Sequence, residues 1–539
     1  MQQVHPFAFS YKKKSQLLAL LCLLLIGVIF QRGLQLGLVE SVGPRMQYHA
    51  IPVAISVLYH GHPHDYTALR GVAIPFQGPA PVKEYVREAI DKKVEQRDTY
   101  YWVADDRGSA DFVILAFKAF GPKTFSMYLL WFVCLLFTTT LFLASFRNRL
   151  WCLALLGLVL IGIYTAVSTL PLADEATFLS VQSVGGGPLS AVGIYETRFL
   201  DVLAMIPVVH ICLFAMQRSW VSSDWQIAAL IGQVCFFFFL YHARSSLGWQ
   251  IVAIVGFLSL VVVYRIWRGR KKENKKFDRF TNPVVVIAAL VIGLGALSIY
   301  KHATYNSRYF LDMGARTFWH NILMGIHERE VSDRYQLTGV GDLEVATAVI
   351  KYAQQSGCEN QVIKLDPQGL LNSLGGHGEQ DWFSYEKCAR KLYTHLWKNH
   401  TRSMVHNYLV IKPQQTLSTL LNVSRSAHAN FSETIRHQLS VGWHPLTGTP
   451  FIFALVILLV ARKDLYRRLG SLFALLAVVL VASLIPSIVF YSVILTLGGF
   501  FVALASLVYL FIALGICVLL TSVIFLYRFI TPAQQIRKD

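Results

Sequence analysis

The sequence predicts an all-α protein that crosses a membrane about ten times. Its 539 residues are 54% hydrophobic and only 15% charged, and their mean hydropathy is +0.47. A soluble chain of this length could hardly bury so much apolar surface, whereas membrane-spanning helices expose theirs to lipid. The net charge of +18 lies in short runs beside apolar stretches, so it indicates topology and argues against nucleic acid as a partner.

Apolar windows of about 20 residues mark the predicted spans. They lie near residues 16–35, 125–146, 150–170, 200–217, 225–241, 247–265, 282–300, 449–461, 471–490 and 503–528. The first window follows Lys12–Lys14, and no small-residue cleavage site comes after it, so we interpret it as a retained signal anchor. The run from Ser471 to Arg528 is nearly all apolar and could hold three short helices instead of two.

The distribution of positive charge predicts a cytoplasmic N-terminus. In that orientation the cytoplasmic side holds the basic C-terminus and the eight Lys and Arg residues between Arg265 and Arg279. The two short loops on the far side, 171–198 and 242–247, contain only Arg198 and Arg244 as basic residues. We therefore expect a multi-pass protein of a bacterial plasma (inner) membrane.

Two long polar segments, 36–124 and 301–448, lie on the far side in this topology. Both are longer than ordinary connections between helices, so they are the expected seat of function. The chain then divides into an N-terminal transmembrane module (1–300), an extracytoplasmic helical segment (301–448) and a C-terminal transmembrane module (449–539) of two or three helices.

The first long segment contains two stretches with the apolar spacing of amphipathic helices. One begins at Pro81 and runs to Ile90, and the other carries its apolar residues between Phe112 and Phe120 before Gly121 and Pro122 end it. Helices of this kind next to a span are expected to lie in the membrane interface.

Two adjacent carboxylates, Asp105 and Asp106, stand between these stretches. If they are close and partly desolvated, one of them has a raised pKa and suits proton abstraction, or the pair could hold a divalent cation such as Mg²⁺ or Mn²⁺. The alternative interpretation is structural, with Asp105 capping the next helix and Asp106 solvated.

This context, DDRGSADFVILAFKAFG at 105–121, resembles the GT-C superfamily of integral-membrane glycosyltransferases, which use sugars linked to lipid phosphates. The resemblance covers the architecture of roughly residues 10–300, with 100–122 as its only sequence motif. It implies that the first-loop acid, at Asp105 or Asp106, acts as catalytic base or metal ligand. It also implies a polyprenyl-phosphate-linked donor and an acceptor (glycan, lipid or protein) that meet on the extracytoplasmic face. The chain lacks a separated Asp-x-Asp, and its next outer loop offers Asp174-Glu175 instead of a family signature.

Glycosyl transfer from a phosphate-linked donor also needs cations that stabilise the departing phosphate. The candidates on the far side are Arg107, Arg198, His242 and Arg244. His242 and Arg244 lie at the mouth between two predicted spans, where ionisable groups are costly unless they are used or solvated. Arg244 could instead anchor the chain to lipid headgroups.

The second long segment is predicted to be mostly helical, because it shows helical periodicity from Asp342 to Ala353 and from Tyr385 to Trp397. Cys358 and Cys388 share this segment. An oxidising compartment would allow them to form a disulfide, although two free thiols remain an alternative.

Arg316 and His320 begin an aromatic, polar stretch of the second segment and are further candidates for substrate contact. Enzymes of the O-antigen ligase and polymerase type also place arginine and histidine in a large late outer loop. An activity of that type is therefore the alternative function. A lone histidine is more often packed or capping, which is the structural interpretation of His320.

Two further classes of protein remain open. A transporter would be expected to carry ionisable residues within its spans, broken helices and an internal repeat, and these features are scarce here. A non-catalytic membrane scaffold is the other class. The sequence therefore favours a membrane glycosyltransferase whose partners are membrane lipids, a lipid-linked sugar donor and a sugar acceptor.

Overall fold

The computed structural model describes residues 11–35, 50–62, 107–169, 200–217, 224–269, 281–305, 318–337, 342–367, 379–418, 445–490 and 497–535, with a few isolated positions between them. Within these ranges the chain is almost wholly helical. A two-residue antiparallel pair, β1 (Tyr66–Thr67) with β2 (Tyr100–Tyr101), places Tyr66 opposite Tyr101.

The transmembrane part contains α1 (Tyr11–Gln35), α2 (Ile51–Tyr59), α3 (Gly108–Phe120), α4 (Thr124–Phe146), α5 (Leu150–Thr169), α6 (Asp201–Met216), α7 (Asp224–Ala243), α8 (Trp249–Gly269) and α9 (Thr281–Thr304). The second long segment contains α10 (Phe318–Leu323), α11 (Arg329–Tyr335), α12 (Asp342–Ser356), α13 (Asn360–Ile363), α14 (Glu379–Asn399), α15 (Thr401–His406) and a π-helical turn (Asn407–Ile411). The C-terminal part contains α16 (Pro445–Val489) and α17 (Leu497–Gln535).

By length and composition, seven of the described helices can cross a membrane: α1, α4, α5, α7, α8, α9 and the Lys463–Val489 part of α16. Three shorter apolar stretches accompany them, namely α6, Ile452–Ala461 and Gly498–Ile512. The ten predicted windows thus correspond to seven apolar stretches of spanning length and three shorter ones. The protein is a polytopic helical membrane protein.

The long apolar run from Ser471 to Arg528 is divided between two elements. The helix α16 ends at Val489 and α17 begins at Leu497, so the two predicted helices of this region are separate elements. The predicted spans 449–461 and 471–490 fall within α16 as one helical element.

The helix α5 lies at the centre of the bundle, because 89% of its spanning window is buried and it packs against α1, α16 and α17. Glycines allow these close approaches. A Cβ on Gly162 would lie 2.6 Å from the carbonyl oxygen of Val502 in α17, and one on Gly157 would lie 2.5 Å from Ile457 in α16. By contrast, only 17% of the α9 window is buried, as expected of a helix that faces lipid.

The second long segment builds its own hydrophobic core from α10 to α15. The predicted helical stretches of this segment coincide with α12 and α14. A disulfide between Cys358 and Cys388 ties the turn after α12 to the buried face of α14. In addition, the buried carboxylate of Glu386 in α14 accepts hydrogen bonds from the backbone N–H groups of Trp319 and His320, at 2.8 and 3.1 Å. These bonds satisfy donors at the start of α10.

This helical segment is attached to the end of α16 through Lys412. The Lys412 ammonium donates to the carbonyl oxygens of Val489 and Phe490, at 3.0 and 2.8 Å, and lies over the ring of Tyr408. The rings of Phe318 and Phe490 add an edge contact at 5.5 Å. The C-terminal carbonyls of a helix are acceptors without intrahelical donors, so a buried lysine is a suitable partner for them.

Candidate functional site at the N-terminus of α3

The candidate site lies on the side of the bundle where α1 ends at Gln35 and α4 begins at Thr124, which we call the long-loop side. The short helix α3 leads into α4 on this side and packs against α2, α4 and α7. The sequence predicts an interfacial helix here. The structure buries Phe112 and Val113 of this helix, whereas Leu115 and Phe120 are 45% and 38% exposed.

Gly108 is the first residue of α3 and touches the end of α7. A Cβ at this position would collide with the backbone carbonyl of His242 and would lie 2.6 Å from its imidazole Cδ2. Only glycine permits so close an approach. The contact places the N-terminus of α3 directly on His242.

Asp111, one turn further along α3, gathers three hydrogen-bond donors. Its Oδ2 lies 2.8 Å from His242 Nε2 and accepts from the hydroxyls of Tyr300 and Tyr305, each at 3.1 Å. The Tyr305 hydroxyl is also 2.9 Å from His242 Nε2. The two tyrosines come from the end of α9 and from the residue after it, so the carboxylate joins α3, α7 and α9 on the long-loop side.

The Asp111–His242 contact also orients the imidazole ring. Because a carboxylate accepts hydrogen bonds, the geometry assigns a hydrogen to Nε2. The other ring nitrogen is Nδ1. It is buried and has no hydrogen-bond partner among the described residues. An aspartate that orients a histidine with one ring nitrogen unoccupied is an arrangement used for proton transfer.

Two arginines are buried beside this cluster. Arg107 immediately precedes α3 and Arg244 follows α7, and each side chain is only 2% exposed. Arg244 interacts electrostatically with Asp201, the first residue of α6, which is 1% exposed. Charged side chains are rarely buried to this degree unless they are paired or used.

The start of α17 contributes to the same region. The backbone N–H of Gly499 donates to Asp201 Oδ2 at 2.8 Å. A Cβ on Gly499 would lie 2.6 Å from the ring of Trp249, the first residue of α8. Glycine at this position therefore lets α6, α8 and α17 meet around a buried carboxylate.

Several buried polar atoms at these helix ends have no hydrogen-bond partner among the described residues. They are Ser56 Oγ, Asp201 Oδ1, Trp249 Nε1 and both amide atoms of Gln250. Each unsatisfied buried polar group costs about 1–3 kcal/mol, so such groups concentrate where water or a ligand is bound. Their presence at the helix ends fits a polar binding site.

The structure brings three of the predicted site residues together, Arg107, His242 and Arg244, around the start of α3. Asp105, Asp106, Arg198 and Arg316 lie outside the described residues, as does most of the predicted helix at 81–90. Since α3 begins at Gly108 with Arg107 at its N-cap position, Asp105 stands two residues before that position.

His320 belongs to the core of the second helical segment. Its Nδ1 lies 2.7 Å from the Tyr385 hydroxyl and its Nε2 lies 3.1 Å from Asp342 Oδ1. Both ring nitrogens are therefore engaged within the protein, and the side chain is buried. This arrangement agrees with the packed interpretation of His320.

Sequence reasoning missed Asp111, Asp201, Tyr300 and Tyr305. Asp111 carries a weak signal, because it is an acidic residue within the apolar period of an amphipathic helix. The others carry none, because Asp201 meets Gly499 and Tyr300 meets Asp111 across separations of 298 and 189 residues.

Among the described residues, no group of three or more His, Cys, Asp or Glu side chains is placed to hold a metal ion. Comparisons with family models, with curated proteins and with solved structures find no match to this chain.

Proposed function

We propose that the protein transfers a sugar from a polyprenyl-phosphate-linked donor to an acceptor on the long-loop side of the membrane. The observation that carries the proposal is the buried cluster at the start of α3. There the Asp111–His242 pair and the two buried arginines, Arg107 and Arg244, lie at the start of the helix that follows Asp105 and Asp106 in the sequence.

The reaction requires a base and a cation. The acceptor hydroxyl oxygen forms a bond to the anomeric carbon of the sugar and loses its proton to a carboxylate, for which we propose Asp105 or Asp106. The bond between the anomeric carbon and the phosphate oxygen breaks, and polyprenyl phosphate leaves with the electron pair. The guanidinium groups of Arg107 and Arg244 are suited to stabilise the charge on that phosphate.

The Asp111–His242 pair supports this chemistry by holding the surrounding helices in place. It connects α3, which follows the two acids in the chain, to the end of α7, which leads to Arg244. A network of buried hydrogen bonds holds such elements in one arrangement, as proton transfer and phosphate recognition require. A divalent cation on Asp105 and Asp106 remains part of the proposal, as do the bacterial inner membrane and the cytoplasmic N-terminus.

Transport is the second candidate, because one ionisable residue does lie inside an apolar helix. His210 of α6 is fully buried, and Pro207 lies inside the same helix. However, its ring nitrogens lie 3.2 Å from Ser145 Oγ and 3.2 Å from Gln233 Nε2, so the surrounding helices satisfy both. The O-antigen ligase alternative would use His320, whose ring nitrogens are likewise engaged.

The test is release of polyprenyl phosphate by the purified protein in proteoliposomes. They would be supplied with a panel of polyprenyl-phosphate-linked hexoses and pentoses and with an extract of envelope glycans and lipids as acceptors. We expect Asp105→Asn with Asp106→Asn to lower the release rate at least about a hundredfold, the size typical of a lost general base. His242→Gln should also lower it, because the α3 start loses its anchor.

The matched control is Asp333→Asn, which removes an exposed carboxylate of α11 on the long-loop side and should leave the rate unchanged. All variants must insert to the same level. Full activity of the double Asp105/Asp106 variant would refute the proposed base. Uptake of a solute into the vesicles without polyprenyl phosphate release would establish transport instead.

A further inference from the structure

The second helical segment contains a cavity lined by basic side chains, away from the α3 site. The cavity has a volume of about 500 Å³ and lies between α12 and α14. Most of its lining side chains are basic or aromatic: Tyr352, Lys387, Arg390, Lys391, His395 and Lys398. We call this cavity the basic groove.

The cations of the groove form a stripe along α14. Lys387, Lys391 and Lys398 stand four and seven residues apart, so they share the face of the helix opposite its buried side and extend over about 16 Å. All three are exposed. Glu359 pairs with Lys387 at 3.0 Å, but Lys391 and Lys398 make no ion pair with any described residue.

An uncompensated row of like charges repels itself, and it attracts a ligand with several negative charges. One phosphate would meet only one or two of these side chains, because Lys387 and Lys398 are about 16 Å apart along the helix. The length of the stripe therefore favours an extended polyanion over a single anion.

The orientation of α14 shows which side of the segment the groove occupies. The hydroxyl of Tyr393 lies 2.9 Å from that of Tyr408, in the π-helical turn that leads to Lys412 and the end of α16. His395, two residues further along α14, points to nearly the opposite side, because two residues turn a helix by about 200°. Its ring instead meets Tyr352, at 5.6 Å, in the groove.

The groove therefore faces away from the side of the segment that is attached to the transmembrane helices. Exposed leucines, which suit contact with lipid, lie close to Lys412 in the sequence, where Leu409 is 73% exposed and Leu417 is 57% exposed. Beside the stripe the exposed apolar side chain is Phe383, which is 45% exposed and whose ring lies 5.9 Å from the Lys387 ammonium. These facts disfavour a membrane surface as the occupant of the groove.

We propose that the basic groove binds an extended polyanionic saccharide, a glycan that carries phosphate or carboxylate groups at intervals of a few sugars. The lysines meet the negative groups, and the ring of Tyr352 offers an apolar face to a sugar. That this glycan is the sugar acceptor rests on the proposed function, whereas the binding itself does not.

The test measures binding of a heparin-derived hexasaccharide to the full-length protein in nanodiscs of neutral lipid, with maltohexaose as the uncharged probe. The groove variant is Lys391→Gln with Lys398→Gln. The matched control, Lys364→Gln with Arg402→Gln, removes the same charge from exposed positions outside the groove. We expect the groove variant to weaken heparin binding about tenfold and the control to change it less than about twofold, with no binding of maltohexaose.

Equal weakening by the two double variants would overturn the inference, since attraction would then depend on net charge alone. Groove-dependent binding to vesicles containing phosphatidylglycerol, without binding of the hexasaccharide, would show a membrane surface as the occupant and would overturn it too. Asp105→Asn with Asp106→Asn should retain hexasaccharide binding. Failure of the groove is thereby distinguished from failure of the proposed transfer reaction.

Discussion

At the scale of single residues, the candidate site depends on a glycine. Gly108 lets the start of α3 rest on the carbonyl and imidazole of His242, and one helical turn later Asp111 bonds the same imidazole. The histidine is thus held from two sides by one short helix. A side chain at position 108 would separate the two helices and lengthen the Asp111–His242 contact.

Gly108→Ala is expected to destabilise the protein by about 1–3 kcal/mol through overpacking. It should also lower the rate of polyprenyl phosphate release. The measurement is thermal unfolding in detergent together with the release assay. Gly27→Ala in α1 is the control, because no heavy atom lies within 4 Å of its added Cβ. Alanine there should be neutral or stabilising by about 0.5–1 kcal/mol. Equal effects of the two substitutions would contradict the close-contact argument.

At the scale of elements, the second helical segment is joined to the end of α16 by a buried lysine, Lys412. We call this contact the junction. Burial lowers the pKa of Lys412 from its ordinary 10.5 to about 7. Burial and the nearby Lys412 charge lower the pKa of His327 to about 4. Both groups are therefore more easily protonated when the junction is open. In the pH range between the lowered and the ordinary pKa of each group, the open state binds more protons than the closed state. Raising the pH within that range therefore stabilises the closed junction.

The junction should tighten as the pH rises from about 7 to about 10, by up to about 1.4 kcal/mol per pH unit from Lys412. It should loosen as the pH falls from about 6.5 to about 4, where His327 becomes protonated in the open state. Hydrogen exchange of the Asn407–Ile411 amides, corrected for intrinsic rates, measures this opening. Lys412→Met should abolish the dependence above pH 7 and should weaken the dependence below pH 6.5 without removing it, because burial is the larger cause of the lowered pKa of His327. An unchanged slope in that variant would exclude Lys412 as its cause.

At the scale of the whole molecule, the transmembrane bundle and the second helical segment have separate hydrophobic cores. The disulfide of the second segment closes a loop of 30 residues. Disulfides persist in oxidising compartments, so the redox state of Cys358 and Cys388 in cells reports on which side of the membrane the segment lies.

Maleimide labelling of the denatured protein should modify six of the eight cysteines before reduction and all eight after it. Cys358→Ser with Cys388→Ser should lower the free energy of unfolding of the segment by about 3–4 kcal/mol, from the entropy of the open loop. Cys235→Ala, which leaves the disulfide intact, is the control. Modification of all eight cysteines without reductant would place the segment in a reducing compartment and reverse the proposed orientation.

Much of the fold was predictable because it depends on local patterns. Apolar windows located the membrane helices, and helical periodicity located α3, α12 and α14. The sequence did not predict that Phe112 and Val113 of α3 pack on protein, because periodicity shows that a helix has an apolar face and not what covers it.

The sequence by itself determined the class of the protein and the positions of its apolar helices. Only the tertiary structure decided that Asp111 orients His242, that Asp201 lies with Arg244 and Gly499, and that His320 is engaged inside a separate core. The physical reason is that hydropathy and periodicity are properties of neighbouring residues. A contact between helix ends hundreds of residues apart depends on how all the helices pack.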